Sequence, residues 1–308
     1  MSWFYRFLLN FSIAIAIVFL PITEQAKAVA YNVVPLSAIQ SFDLGVDELK
    51  SDRYRKALKY FTQAIEQDAN LAAAYSNRCL VYLQLNEPAK SIEDCTAALQ
   101  LNPENTEAYL NRGLAYYRQG NYPAAISEYN QIIERQSSDL RAYYNRGLAR
   151  FELKDYEGAI ADYNQGLEQS LQPFDPLLAD IYNDRGLAEL MLEEMEDAIA
   201  DFSAAIYLDT NNHRAFYNRA CACHRNGDLL GAVRDFTLAL QLDPNRAEAY
   251  VNRGLIRHEL GLQQAALADL KTASQRFNAQ GNQSAYQTTL ALIERLQKLL
   301  QSTDIAIG

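Results

Sequence analysis

Apolar residues recur along most of this chain at helical spacing, and the helical pattern itself recurs every 34 residues. The strings Tyr75-Ser-Asn-Arg-Cys79, Tyr109-Leu-Asn-Arg-Gly113, Tyr143-Tyr-Asn-Arg-Gly147, Phe216-Tyr-Asn-Arg-Ala220 and Tyr250-Val-Asn-Arg-Gly254 are near copies. Tyr182-Asn-Asp-Arg-Gly186 supplies the sixth member, and Gly45 begins a weaker first copy. Seven units result, over 38–71, 72–105, 106–139, 140–178, 179–212, 213–246 and 247–280, with an insertion near Gln172–Pro176. Each unit has room for two helices and a turn. Beyond Gly281, Tyr286, Leu290, Ile293, Leu296 and Leu300 stand at helical spacing and predict a capping helix over 281–302, with a tail at 303–308.

Small residues mark where the two helices of a unit meet. Position 8 holds Gly45, Cys79, Gly113, Gly147, Gly186, Ala220 and Gly254, and position 20 holds alanine except for Ser91. Position 24 holds Phe61, Cys95, Tyr129, Tyr163, Phe202, Phe236 and Leu270. Antiparallel helices approach closely only where both carry small side chains, and a larger side chain one turn on fills the space. Gly120-Asn121, Gly227-Asp228 and Asn86-Glu87-Pro88 punctuate the middle of units, and Asp175 with Pro176 reads as the cap and first residue of a helix.

This period and pattern resemble the tetratricopeptide repeat over about residues 38–280. The resemblance implies an all-α, right-handed superhelical solenoid of helix–turn–helix repeats, whose first helices line a concave protein-binding face. It does not extend to the chaperone-tail binders of the family: no unit has a basic residue at position 5 or Asn at position 9, as that clamp requires.

A different signal occupies the first 30 residues. Arg6, a short apolar run over Phe7–Leu20, Pro21 and the small-residue exit Ala26-Lys27-Ala28-Val29-Ala30 predict a secretory signal peptide or, uncleaved, an N-terminal membrane anchor. Residues 31–37 are read as a linker. Either reading exports the repeats to a periplasm-like or lumenal space, with membrane contact only through this segment. The net charge of −10 argues against a nucleic-acid binder.

An arginine stands at position 7 of six units, where the family usually has Leu: Arg78, Arg112, Arg146, Arg185, Arg219 and Arg253. A cation at a packed position needs an anion. Position 23 holds one in the same units, Asp94, Glu128, Asp162, Asp201, Asp235 and Asp269, while the first unit has Leu44 and Tyr60. Pairing within each unit leaves nothing unmatched, so these are read as structural ion pairs.

Position 6 carries Asp43, Asn77, Asn111, Asn145, Asp184, Asn218 and Asn252. The series is similar to the asparagine ladder in the superhelical domain of O-linked N-acetylglucosamine transferases. An amide side chain offers a donor and an acceptor to one peptide unit, so the ladder is a candidate peptide-binding groove; stacking of neighbouring helices is the competing role. Tyr144 and Tyr217 at position 5, and leucines at position 9, add apolar surface beside it.

Four cysteines and three histidines leave little other chemistry. Cys79 and Cys95 face each other across one helix pair, where two small apolar side chains are expected and a disulfide is the alternative. Cys221, His224 and His258 converge only weakly on a metal-ligand pattern, so no metal or cofactor is expected. His213 opens a unit and is expected to be exposed. No Gly-x-Ser-x-Gly elbow, His-Glu-x-x-His pair or Walker loop occurs. The expected function is non-enzymatic binding of a protein or peptide partner, as a scaffold or assembly factor; a self-associating envelope protein is the alternative, and oligomeric state is left open.

Overall fold

The computed structural model describes residues 36–170 and 175–307, and these form fifteen α-helices and no strand. The expected signal or anchor, and nearly all of the linker, lie outside the described residues. Seven helical hairpins follow one another: α1 (Ala38–Lys50) with α2 (Tyr54–Gln67), α3 (Ala72–Gln84) with α4 (Pro88–Leu101), α5 (Thr106–Arg118) with α6 (Tyr122–Arg135), and α7 (Leu140–Glu152) with α8 (Tyr156–Gln169). Then come α9 (Pro176–Met191) with α10 (Met195–Leu208), α11 (His213–Arg225) with α12 (Leu229–Leu242), and α13 (Ala247–Glu259) with α14 (Gln263–Ala279). The last helix, α15 (Gln283–Ile307), packs on α14. It runs past the expected end at residue 302, because no Gly or Pro stops it before Gly308.

Local chemistry sets the helix starts. The side chains of Asn105, Asn121, Asp139, Asp155, Asn212 and Asp228 each accept a hydrogen bond from a backbone N–H in the first turn that follows. Asp175 does the same for Leu177 at 2.9 Å, with Pro176 as the first helical residue. Thus α9 gains most of a turn from the insertion.

The turn inside each hairpin is equally regular. Position 15 has a positive φ in all seven units: Asp52, Asn86, Gly120, Lys154, Glu193, Gly227 and Gly261. The left-handed residue reverses the chain between the two helices. Glycine adopts it freely, whereas Lys154 and Glu193 hold it against the clash of Cβ with the backbone.

Positions 8 and 24 form the closest contact within a hairpin. A Cβ added at Gly113 or Gly147 would stand 2.6 or 2.5 Å from the ring of Tyr129 or Tyr163. Those rings, and Phe61, Phe202 and Phe236 in other units, are fully buried. In the second unit the sulfurs of Cys79 and Cys95 are bonded, with Cα atoms 5.4 Å apart. This replaces the expectation of two unlinked small side chains: the small-residue register brings the two backbones within bridging reach.

Candidate binding groove

The first helices of successive units touch one another directly, α1 with α3 and onward through α9 with α11, whereas second helices do not come as close. First helices therefore form the inner, more tightly curved face. Whatever points inward from α1, α3, α5, α7, α9, α11 and α13 lines a groove.

The six arginines build the frame behind it. Each clasps the carboxylate of its own unit: Arg78 to Asp94 at 2.6 Å, Arg112 to Glu128 at 2.8 Å, Arg146 to Asp162 at 2.6 Å, Arg185 to Asp201 at 2.6 Å, Arg219 to Asp235 at 2.6 Å and Arg253 to Asp269 at 2.7 Å. The guanidinium then reaches back across the unit boundary with Nη1. Arg78 donates to Thr62 at 3.1 Å, Arg112 to Thr96 at 3.1 Å and Arg146 to Asn130 at 2.6 Å. Arg185 donates to Asn164 at 2.5 Å, Arg219 to Ser203 at 3.0 Å and Arg253 to Thr237 at 2.9 Å. These acceptors all occupy position 25 of the preceding unit. An aromatic ring at position 4 of the same helix lies under each guanidinium, 5.3–5.8 Å from its carbon.

The sequence carried the position-25 signal, because all six acceptors bear a hydroxyl or amide oxygen, while the last unit has Lys271. The cation is held strongly. The hydrogen bond to Asp201 raises the pKa of Arg185 above its ordinary value. Burial raises that of Glu128, with Arg112 opposing the shift.

The position-6 residues divide into four kinds. Asn77 and Asn145 turn back to their own helices, donating from Nδ2 to the carbonyls of Ala73 and Arg141 at 2.8 Å. Asn111 is buried, and Asp43 is exposed. The others bind neighbouring units. Asp184 accepts from the Tyr144 hydroxyl at 2.8 Å and from Arg214 at 3.2 Å, and Asn183 donates to it from the adjacent position at 2.9 Å. Asn218 donates to Asn183 at 2.9 Å, and Asn252 donates to the Tyr217 hydroxyl at 3.1 Å. Arg246 lies 3.5 Å over the Tyr217 ring. Burial raises the pKa of Asp184, while Tyr144 and Arg214 pull it down.

Beside this polar line runs an apolar one. Leu80, Leu114, Leu148, Leu187 and Leu255 at position 9 are all half-buried, and Leu187 packs partly on a core cluster that includes Ala222 of the next unit. Tyr117 and Phe151 at position 12 are also half-buried, and Tyr117 donates to Glu152 at 3.3 Å. At the C-terminal end Val251, Asn252, Phe277, Ala285, Thr289 and Leu292 line a cavity of about 450 Å³ between α13 and α15.

The weak metal constellation does not assemble. His224 faces Glu259 at 3.4 Å, and His258 faces Gln263 at 2.5 Å, so the two rings are directed to partners on or just after the last turn of α13. Among the described residues no three His, Cys, Asp or Glu side chains are placed to hold a metal ion. His213 is half-buried rather than exposed, with Nδ1 4.0 Å from Asp243 at the end of α12, the second helix of its own unit. No described helix is long and apolar enough to cross a membrane.

Stacked helical hairpins with one inner face define a repeat solenoid, the class of proteins that offers a long curved surface in place of a pocket. Sequence profiles described as tetratricopeptide repeat match residues 42–106, 77–139, 110–176 and 213–246, more than half of the chain. The chain belongs to the tetratricopeptide repeat family, whose members are generally non-enzymatic scaffolds for protein–protein interaction.

Solved structures agree on the fold. A tetratricopeptide repeat protein from Parabacteroides merdae is 19% identical, with a TM-score of 0.63 over 82% of this chain and 98% of that one. YrrB, described as a TPR protein with an unusual peptide-binding site, is 22% identical, with a TM-score of 0.52 over 65% of this chain and 99% of that one. The APC/C hetero-tetramer Cut9–Hcn1 gives 19% identity and a TM-score of 0.62 over 71% of this chain, which spans 43% of the matched chain. The comparison with curated proteins returned no match.

Proposed function

We propose that the protein is a non-enzymatic scaffold or assembly factor that holds an extended segment of a protein partner in its concave groove. The observation that carries this reading is the leucine strip at position 9, where five units in the inner face each keep a half-buried leucine. Apolar surface retained along a curved polar frame is what an extended chain with alternating apolar side chains can cover. Asn77 and Asn145, whose Nδ2 groups are bound to their own helices, offer their amide oxygens to the partner backbone in the N-terminal half, while Asn111 is buried. In the C-terminal half Asp184, Asn218 and Asn252 are engaged in joining units, so recognition there rests more on Leu187, Tyr217 and the cavity beside Asn252. The known peptide-binding site of YrrB is in keeping with this use of the fold. Export by the first 30 residues, with or without retention as an anchor, would place that surface in a periplasm-like or lumenal space.

The test uses the full chain and a Leu114, Leu148, Leu187→Gln triple variant with the same melting temperature. Both are cross-linked in the native host, and the captured partners are compared. Partners lost only from the variant establish the groove as the binding site. Partners retained by both place recognition on the outer face or the cap, and the groove reading fails.

A further inference from the structure

The second unit departs from its neighbours at the contact that closes each hairpin. In five of the other six units a ring at position 24 fills the space over position 8, as Tyr129 does over Gly113 and Tyr163 over Gly147, and in the seventh unit Leu270 lies near Gly254. Here the same positions hold Cys79 and Cys95, bonded to each other and fully buried. Position 20 changes with them, from alanine to a buried serine, and the Ser91 hydroxyl lies 3.1 Å from the Cys79 sulfur. Two cysteine side chains are smaller than an aromatic ring. Without the bond this hairpin lacks the filling that holds its neighbours closed. Arg78 and Asp94, each one residue before a cysteine, clasp the same level of the hairpin.

We infer that the second unit is completed by oxidation, and that the bond does there what glycine and tyrosine do in the third and fourth units. The chemistry is thiol–disulfide exchange with a disulfide oxidant. Two S–H bonds break and one S–S bond forms between Cys79 and Cys95. Two electrons and two protons pass to the oxidant disulfide, which leaves as two thiols. Both sulfurs are sealed from solvent, so exchange takes place while α3 is open from α4, during folding, and the finished bond is shielded from mild reductants. Asn77, Leu80 and Leu83 lie on α3, so the second unit's share of the groove depends on this step. The inference stands apart from the identity of any partner. It assigns the protein to a compartment where a disulfide oxidant operates.

The experiment uses the full chain, purified once from an oxidising compartment and once from a reducing cytoplasm. Denatured without reductant and alkylated, the first preparation is expected to react at Cys221 and Cys223 and not at Cys79 and Cys95. Unfolded with reductant and refolded with its thiols kept reduced, it is expected to melt lower by about 5 °C or more than the same protein unfolded and refolded without reductant. A Cys79→Gly/Cys95→Tyr variant, which installs the pair of the third unit, is expected to melt the same from both sources. If that variant does not fold, Cys79→Ala/Cys95→Ala takes its place and is expected to match the reduced wild-type protein. Alkylation of all four cysteines in the oxidised preparation overturns the inference. An unchanged melting temperature on reduction overturns it equally.

Discussion

Arg219 and Ser203 meet at 3.0 Å across the boundary between the fifth and sixth units, while the other face of the same guanidinium holds Asp235. One side chain therefore closes its own hairpin and fastens it to the one before. Asp235 is fully buried and its other cation, the largely exposed Arg234, reaches it only at 3.5 Å, so removing Arg219 leaves the charge poorly paired. Arg219→Ala is expected to lower stability by about 3 kcal/mol in urea unfolding. Ser203→Ala removes the acceptor, together with the hydroxyl's local bond to the Ile199 carbonyl, and is expected to cost about 1 kcal/mol. Equal losses from the two changes would mean that the ion pair contributes nothing beyond the boundary contact.

Backbone strain at position 15 gives a stabilising change. Lys154 has φ of 63° where three other units have glycine. Lys154→Gly is expected to raise stability by about 0.5–1 kcal/mol, because relief of the left-handed clash exceeds the entropy glycine adds to the unfolded chain. A fall in melting temperature would count against strain at this turn.

Glu189 gives a pH dependence. It is a buried carboxyl with Oε2 unpartnered and its nearest cation, Arg185, at 3.8 Å. Burial, and then the negative charge of Asp201, push its pKa from 4.5 up to about 8, while Arg185 opposes the rise. Between those pH values the folded protein keeps a proton that the unfolded chain releases. The stabilising contribution of Glu189 is therefore complete below pH 4.5 and is lost as pH rises through 8. Glu189→Gln is expected to remove this part of the slope when urea midpoints are compared at pH 5, 6.5 and 8.5. An unchanged slope would show that Glu189 ionises normally.

Tyr144 ties the fourth unit to the fifth through Asp184 at 2.8 Å. Tyr144→Phe is expected to cost about 1–2 kcal/mol, since the acceptor is a buried carboxylate. Tyr217→Phe, which removes the weaker bond from Asn252, is expected to cost less. Reversal of that order in thermal melts would put the stronger junction further along the chain.

The arginine register was legible in the sequence because a cation at a packed position is anomalous and its carboxylates recur in phase. The acceptors at position 25 were harder to see. Thr62, Asn130 and Ser203 differ in size and share only an oxygen that can accept one hydrogen bond. The turns showed the same limit: Gly120 and Gly227 advertise a left-handed residue, whereas Lys154 and Glu193 adopt one without any local sign. Cysteine is ambiguous in a different way, since the same small buried side chain packs or bonds according to backbone distance. At position 6 the shared Asn/Asp identity concealed separate roles, because the neighbour each side chain meets is set by the spacing of units. Asn145 folds back on α7, while Asn218 reaches into the unit before it.

The arginine clasps also give the array a direction. Every partner of a given arginine lies in its own unit or in the one preceding it. Shortening the array from the C-terminal side at a unit boundary leaves each remaining clasp whole. Shortening it from the other side leaves the new leading arginine with its carboxylate and without its backward acceptor, a deficit that Leu44 spares the first unit. The two ends of this solenoid are therefore unequal as places to cut, to fuse or to graft additional units.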